Sequence, residues 1–558
     1  MQAMRPALLL LCLLLAACPT RRDFPRDDDD SGDDDDDLTF PDDDDSAGDD
    51  DDSTGDDDDG TGDDDDSTSG DADGDGYSTD DCDDTDPLIN PGAAEICNDG
   101  IDNDCSGDAP ECRWSGVMGL NNAFLRIDGA TGGRLGTIGY VDDVTGDGVD
   151  DLVVAASQSD SATGSVFVFD TPLTPGTASA SSLAAHRIDG ALLGEQLGGG
   201  LFIADFDDDG TNDLVLGAHS ADFAGTDAGA SYVFYGPVTE TVTTASTADL
   251  TMDGDTVQGR FGSGTSLACD LDGDGAHDLV QRAPRANPLG RSQAGAIYVW
   301  YGPVGATDSI ASADAQIYGA AADDELGVDL SCHGDLDGDG DDDLVMGSQF
   351  ADDSGTVYVL YDEPAGIIDL ATATVGATIT ASANDLLGAA AWIVDDLDAD
   401  GADDLLIGAR TSDLGGEDAG AAFLFTATPT GTLTVTDATA TFTGVGIDAR
   451  AGQWATTLGD LDGDGFTDFA IGARRSALGG PGSGSTYIVY GPVTGTVSLE
   501  DADATWIGEV GSLASSAFVH MTPDITGDGA KDLLIGAYLA DYGGSDAGAV
   551  YVVEGLAY

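Results

Sequence analysis

Residues 460–468 read DLDGDGFTD: carboxylates fall at the first, third, fifth and ninth places (Asp460, Asp462, Asp464 and Asp468), and Gly465 takes the sixth. Two-residue spacing aims successive carboxylates into one concavity, and the glycine permits the sharp turn that brings a backbone carbonyl in beside them. Hard oxygen donors so arranged suit Ca²⁺, which takes about six to eight oxygen ligands at ~2.3–2.6 Å, better than Mg²⁺, which demands a smaller octahedral shell. Six more loops of this type occur. Four repeat the full carboxylate set: Asp205, Asp207, Asp209 and Asp213; Asp270, Asp272, Asp274 and Asp278; Asp335, Asp337, Asp339 and Asp343; Asp396, Asp398, Asp400 and Asp404. Two carry threonine at the third place, whose hydroxyl is also an oxygen donor: Asp143, Thr145, Asp147 and Asp151, and Asp524, Thr526, Asp528 and Asp532. Converging carboxylates repel one another without a cation. Metal binding is therefore expected to be coupled to loop order, with several structural Ca²⁺ ions as the cofactors.

A repeat positions these loops. Their starts lie 62, 65, 65, 61, 64 and 64 residues apart, and seven such units fill residues 113–558, leaving no stretch there for a separate catalytic domain. Each unit opens on a Leu/Phe-Gly step and a small-residue strand that runs into the loop. An apolar strand follows (DLVVAA, DLVLGA, DFAIGA), then an aromatic-rich strand (GAIYVWYG at 295–302), then a weaker one (AQIYG at 315–319). Four strands per repeat without helical periodicity predict an all-β fold, a seven-bladed β-propeller with four-stranded blades. A solenoid is the alternative, and the ends discriminate. The last unit stops after its aromatic strand, GAVYVVEG (548–555), whereas AFLRIDG (123–129), ahead of the first unit, matches HRIDG (186–190). The N-terminal strand is expected to close the seventh blade and remove an exposed edge.

On its Phe/Leu-Gly steps, Asp-rich loops and Ile-Gly-Ala strands, the chain resembles the FG-GAP repeat family, whose members include the seven-bladed propellers of integrin α subunits. The first-strand step decays to Ala451-Gly452 and Leu513-Ala514 in the last two units.

In a propeller, loops joining first to second strands lie on one face and loops joining second to third strands on the other. Of the 13 basic residues in 113–558, nine are expected on the face away from the metal loops: Arg134, Arg260 and Arg450 between blades, and Arg282, Arg285, Arg291, Arg410, Arg474 and Arg475 after second strands. Arginine grips carboxylate or sulfate bidentately. Arg260, Arg282, Arg285, Arg291, Arg410, Arg450, Arg474 and Arg475 are thus candidates for a ligand face around blades 3, 5 and 6, taking an acidic glycan or an extracellular protein segment. Local charge balance with aspartates such as Asp413 and Asp448 is the competing reading. Cys269 and Cys332, near the ends of first strands in blades 3 and 4, read either as a bridge near the channel or as two buried thiols.

The formal net charge is −91 over 558 residues, and residues 113–558 alone carry 68 acidic and 13 basic residues, a net of −55. Such a field argues against nucleic acid or anionic lipid as partners. Residues 1–17 read as a signal peptide. Leu15-Ala16-Ala17-Cys18 resembles the bacterial lipobox, which implies lipidation of Cys18 and an outer-membrane anchor. Residues 18–70 are aspartate blocks split by Ser, Gly and Thr, a composition that buries no core and reads as a disordered stalk. Residues 71–112 hold Cys82, Cys97, Cys105 and Cys112, an even set consistent with two disulfides in any of three pairings. Asp71, Asp73 and Asp75 are candidate metal ligands there. The Cys-Asp-Asp…Pro-Gly-Ala-Ala-Glu-Ile-Cys…Asp-Gly-Ile-Asp-Asn-Asp-Cys series resembles the MopE-like metal-binding motif of bacterial surface proteins.

No catalytic pattern stands out. The five histidines (His186, His219, His277, His333 and His520) lack metal-ligand spacing, and no Gly-x-Ser-x-Gly elbow occurs. The sequence predicts a monomeric, calcium-stabilised binding or adhesion lipoprotein of the cell surface that displays a propeller for protein or glycan recognition. A metal-binding or structural envelope protein is the second reading, and a propeller hydrolase or lyase the third.

Overall fold

A computed structural model describes Tyr77, residues 82–83 and 85–91, Cys105, and residues 113–555 apart from 265–266, 306–308, 383 and 515–517. The signal peptide, Cys18, the acidic stretch and the candidate ligands Asp71, Asp73 and Asp75 lie outside the described residues.

Seven antiparallel sheets follow one another along the chain as the blades of a propeller. In blade 5 the strands are Leu387–Val394, Asp404–Ala409, Ala421–Phe425 and Ala440–Thr443, counted outward from the channel. Second and third strands such as Asp404–Ala409 and Ala421–Phe425 are buried along their whole length. Neighbouring blades cover both of their faces, which is why the sequence there is a continuous apolar run rather than an alternation. Fourth strands alternate, as in Ala440–Thr443, where Ala440 and Phe442 are buried and the two threonines half-buried. Core clusters span blade pairs. Val153 and Val166 of blade 1, for instance, share a cluster with Leu201 and Leu214 of blade 2.

The ring closes as the sequence predicts. Leu125–Asp128 pairs antiparallel with Ala549–Val553 and supplies the fourth strand of blade 7. The expectation of four strands per blade is incomplete, because most sheets have five. The fifth strand is short and parallel, and comes from the next blade, between that blade's third and fourth strands. Gly431–Thr434 thus lies on Ala377–Thr380 of blade 4 and Gly495–Ser498 on Ala440–Thr443 of blade 5. At the seam Gly116–Gly119 covers Ala504–Ile507 of blade 6, and Gly176–Ser179 covers Leu125–Asp128 of blade 7. These overlaps cap the outer edges that would otherwise be open to pairing.

The Leu/Phe-Gly steps are where blades meet. Their apolar residue makes a parallel bridge to the glycine before the third strand of the preceding blade, as in Gly164–Leu197 and Gly229–Phe261. Gly164 has φ +86, and a Cβ there would sit 2.1 Å from the Leu197 carbonyl oxygen, so no other residue fits. Ala451 and Ala514 make the same bridge, to Gly420 and Gly484, in the two units where the motif decays. In the last unit the bridging residue is therefore Ala514, one place beyond the Leu513 that the motif suggested.

Cys269 and Cys332 form a disulfide between blades 3 and 4, with Cα atoms 5.8 Å apart. It spans 63 residues, for which the chain-entropy argument gives about 4 kcal/mol of stabilisation. A Cys269→Ala, Cys332→Ala variant is expected to lose stability on that order, read from its urea midpoint. Cys82 pairs with Cys105, Cα atoms 5.6 Å apart. Cys97 and Cys112, the partners expected for a second bridge in that segment, lie outside the described residues.

Candidate functional site

Each Asp-rich loop joins a first strand to a second strand, so all seven lie at one end of the blades. The loop is built by its own carboxylates accepting from its own backbone. In every loop the first aspartate accepts from the N–H of the sixth-place glycine at 2.8–2.9 Å. The ninth-place aspartate is the first residue of the second strand or the one before it, and is buried in all seven blades. One of its oxygens accepts from the N–H of the second loop residue, for example Leu271 to Asp278 at 2.7 Å and Leu461 to Asp468 at 2.7 Å. In blades 2, 3 and 6 its other oxygen accepts from the glycine that follows the third strand, Gly236, Gly302 and Gly491, each at 2.8 Å. The ninth aspartate thus clamps the loop to the blade, and in blades 2 and 3 it also joins the converging carboxylates.

Five loops bring three carboxylates together, with ligand oxygens all within 4.8 Å of one another: Asp205, Asp207 and Asp213; Asp270, Asp272 and Asp278; Asp335, Asp337 and Asp339; Asp396, Asp398 and Asp400; Asp460, Asp462 and Asp464. Asp209, Asp274, Asp343, Asp404 and Asp468 stand outside these groups, and the loops of Asp143 and Asp524 form no such group among the described residues. In those two the threonine turns inward. The Thr526 hydroxyl donates to Asp532 at 3.2 Å, and Thr145 and Thr526 also give their N–H groups to Asp151 and Asp532. Both hydroxyls thus serve the clamp.

The donor set fits a hard divalent cation. Asp207 Oδ1, Asp270 Oδ1 and Asp343 Oδ1 are buried oxygens with no hydrogen-bond partner among the described residues. A buried acceptor left in that state is costly. Burial pushes the ninth-place carboxyls up, with neighbouring loop carboxylates adding to the rise: Asp213, Asp468 and Asp532 to about 6, Asp278 and Asp404 to about 7, Asp343 to about 8. A cation offsets both the burial and the repulsion. Asp270→Asn is expected to reduce the bound divalent cation by one per chain while leaving the circular dichroism spectrum unchanged, checked by elemental analysis after desalting.

Sequence reasoning missed the eighth loop residue. Asn212 donates its side-chain N–H to Asp142 Oδ1 at 2.7 Å and to the Asp143 carbonyl at 3.2 Å. Asp342 and Asp403 each accept from the backbone N–H of the preceding blade's first aspartate, Asp270 and Asp335, at 2.9 Å. These side chains link adjacent metal loops. Their position just before the buried clamp was the available signal, but five residue types obscure it across the seven loops: Asp, Asn, His277, Thr467 and Lys531.

The arginines divide into two groups. Arg282 is not on a surface: it lies within its second strand, Asp278–Ala283, where other blades carry glycine or alanine, and is buried beside the channel. It donates to the carbonyls of Ser263, Gly327 (3.1 Å) and Val328 and stands 3.8 Å from Asp329. Its guanidinium lies against Gly264, where a Cβ would sit 1.3 Å from Nη2, so the missing side chain leaves room for the arginine. Arg285 pairs with Glu325 at 3.1 Å and Arg291 with Asp369 at 2.6 Å, so blade 3 spends its cations on local balance. Arg260 is half-buried near His219 and Asp227. Arg410, Arg450, Arg474 and Arg475 gather at blades 5 and 6, at the end of the blades opposite the metal loops.

Rings line the channel. Tyr140, Phe202, Trp392, Trp454, Phe518 and His520, from blades 1, 2, 5, 6 and 7, form a chain of contacts with centroids 5.1–6.0 Å apart. Burial lowers His520 to about 4, which keeps it neutral.

Fold and loops together define a class. The FG-GAP repeat profile matches residues 261–300, 331–360 and 452–489, in blades 3, 4 and 6, and a MopE-type metal-binding motif matches residues 81–111. Integrin alpha-PS2 of Drosophila melanogaster is 29% identical over 197 residues, 33% of this chain and 14% of that protein. Integrin alpha-5 of Xenopus laevis is 32% identical over 181 residues, 31% of this chain and 16% of that protein. A phosphatidylinositol-glycan-specific phospholipase D of Mus musculus is 37% identical over 107 residues, 19% of this chain and 12% of that protein. The matches therefore span less than a fifth of each of these relatives. A solved Dos1 propeller aligns over 72% of this chain and 74% of its own at a TM-score of 0.36 and 11% identity. The chain is a seven-bladed β-propeller carrying FG-GAP repeats of the kind found in integrin α homologues, with a MopE-type motif ahead of it.

Proposed function

We propose that this protein is a calcium-stabilised binding or adhesion protein of the cell surface, held at the outer membrane through a lipidated Cys18 and an acidic stalk, which displays its propeller to a protein or glycan ligand. The observation that carries the reading is the partition of the propeller. Metal loops sit at one end of every blade, each tied down by its own carboxylates, and the other end is left for recognition. The likeness to integrin α propellers supports a binding role. Disulfides at Cys82–Cys105 and Cys269–Cys332 favour an oxidising, extracytoplasmic setting. Among the described residues no helix is long and apolar enough to cross a membrane, and the reading needs none. Calcium is the favoured ion because the loops offer flexible sets of carboxylate and backbone oxygens rather than a compact octahedron.

The MopE-type motif at 81–111 favours a second reading, in which metal capture by the N-terminal segment is the function and the propeller its support. One experiment separates the two. Cells displaying the full-length protein or a variant lacking residues 19–112 are tested for adhesion to glycan and matrix-protein arrays, with Ca²⁺ or with chelator, and for metal uptake. Adhesion that needs Ca²⁺ and survives the deletion supports the binding reading. Adhesion absent from both, with metal uptake lost on deletion, overturns it in favour of the second.

A further inference from the structure

The residue after the second strand holds an equivalent place in every blade. Blades 1 to 4 put Ser157, His219, Pro284 and Gln349 there, and none is cationic, since burial lowers His219 to about 4. Blades 5 and 6 put Arg410 and Arg474 there, followed by Arg475, and blade 7 puts Tyr538. Arg450, in the connection from blade 5 to blade 6, stands near both arginines, and burial, with the charges of Arg474 and Arg450 adding to it, brings Arg410 down to about 10.

Their partners are too few. Arg450 Nε and Arg475 Nη1 share one carboxylate, Asp448, at 2.8 and 2.9 Å. Arg410 Nη1 reaches only the neutral Gln453 Oε1, at 3.2 Å. Arg474 makes no hydrogen bond or ion pair with any described residue. The Nε–H groups of both Arg410 and Arg474 are buried and unpaired. Arg126 pairs with Asp128, Arg187 with Asp189, Arg285 with Glu325 and Arg291 with Asp369, whereas Arg134, over the Tyr538 ring, also has a buried Nε–H without a partner among the described residues. In a chain of net charge −91, four guanidinium groups around one carboxylate leave a local excess of positive charge that internal balance does not explain. Buried donors of this kind are costly unless an acceptor reaches them.

We infer that Arg410, Arg450 and Arg474, flanked by Arg475 and Tyr538, form a recognition pocket for a single carboxylate group of the ligand, on the face away from the metal loops. The inference deepens the binding reading, and rests on it only for the claim that this face meets a ligand. A lone carboxylate suits the site better than a polyanion, because the net −55 of residues 113–558 repels any extended anion that would lie across the surface. Asp448 already occupies one side of the cluster as an internal carboxylate, and Arg410 Nη2 with the Nη groups of Arg474, which bond to no described residue, are the donors left for a second.

The test uses full-length protein in Ca²⁺ at constant ionic strength, titrated with acetate, succinate, sulfate or phosphate by calorimetry and by the arginine Nε–Hε signals in NMR. Acetate and succinate are expected to bind saturably in the millimolar range and to shift two Nε–Hε signals. Arg474→Gln is expected to weaken that binding about tenfold. Asp448→Asn is expected to tighten it, by releasing Arg450 and Arg475, and Arg285→Gln to leave it unchanged. Absence of saturable carboxylate binding up to about 50 mM, or preference for sulfate or phosphate over carboxylate, overturns the pocket. If Arg474→Gln does not fold, the Nε–Hε signals of the unaltered protein decide, and signals that do not move overturn it. Adhesion without carboxylate binding removes the pocket and spares the binding reading. Carboxylate binding without adhesion does the reverse.

Discussion

Stripping divalent cations from the full-length protein is expected to lower its thermal midpoint by about 10–15 °C, with recovery when Ca²⁺ is restored. Five loops bring three carboxylates within 4.8 Å. An ion present at a hundredfold excess over its dissociation constant stabilises the folded state by about 2.7 kcal/mol per site, or about 13 kcal/mol for five. A propeller of this size has an unfolding entropy on the order of 0.9 kcal/mol/K, which converts that sum into the stated shift. The metal-free protein is also expected to lose stability as pH rises. The ninth-place carboxyls titrate at about 6 to 8 in the fold against ~3.9 when unfolded. Between those values the native state holds more protons, so stability falls with increasing pH. Scanning calorimetry in chelator should therefore show a higher midpoint at pH 5 than at pH 8, and in Ca²⁺ the order should flatten or reverse as the ion displaces the protons. A midpoint unmoved by chelator, or a metal-free midpoint that rises with pH, would count against the loops as ion sites.

Much of this architecture is legible in the chain because each signal is local and repeated. The interval between Asp-rich loops gives the number of blades, and the apolar runs such as DLLIGA mark strands covered on both faces. AFLRIDG, matched to HRIDG, gives the closure. The fifth strands are not legible. Segments such as Gly431–Thr434 are four residues of ordinary turn composition, and their pairing partner lies one blade away, so nothing local distinguishes them from loop. The metal loops show the same limit. Spacing identifies the candidate oxygens but not which three converge: the ninth aspartate joins the group in blades 2 and 3, the fifth in blades 4, 5 and 6. Arg282 illustrates the opposite failure. The sequence places it after its second strand, whereas the strand runs through it to Ala283 and Gly264, without a side chain, makes the space. The arginines of blades 3, 5 and 6 look alike in the sequence. Only their partners separate them, and Glu325 and Asp369 lie tens of residues away from the side chains they neutralise.

A full-length chain from which residues 113–129 are deleted is expected to lose its cooperative fold or to associate. This segment supplies two strands to two different sheets, Gly116–Gly119 to blade 6 and Leu125–Asp128 to blade 7. It buries Trp114, Leu120, Leu125 and Ile127, each worth about 1.5–3 kcal/mol. The Trp114 ring meets Trp506 edge-on at 5.7 Å, and its carbonyl accepts from the Tyr490 hydroxyl at 3.0 Å. The loss, about 6–12 kcal/mol from the apolar side chains alone, is comparable to the entire stability of an ordinary domain. It also bares the Ala549–Val553 edge, five buried apolar and aromatic residues that would pair with another chain. Size-exclusion chromatography and near-ultraviolet circular dichroism read both outcomes. A permuted chain discriminates loss of closure from loss of a local contact. With residues 113–129 moved to follow Gly555, the order in blade 7 becomes third strand, edge strand, turn, fourth strand, which is the order the chain already follows from Ser165–Phe169 through Gly176–Ser179 to His186–Asp189. If closure is what the segment provides, the permuted protein regains a monomeric fold. If it stays unfolded or aggregated, the segment acts through its attachment to blade 1, and the seam is not interchangeable with the other six.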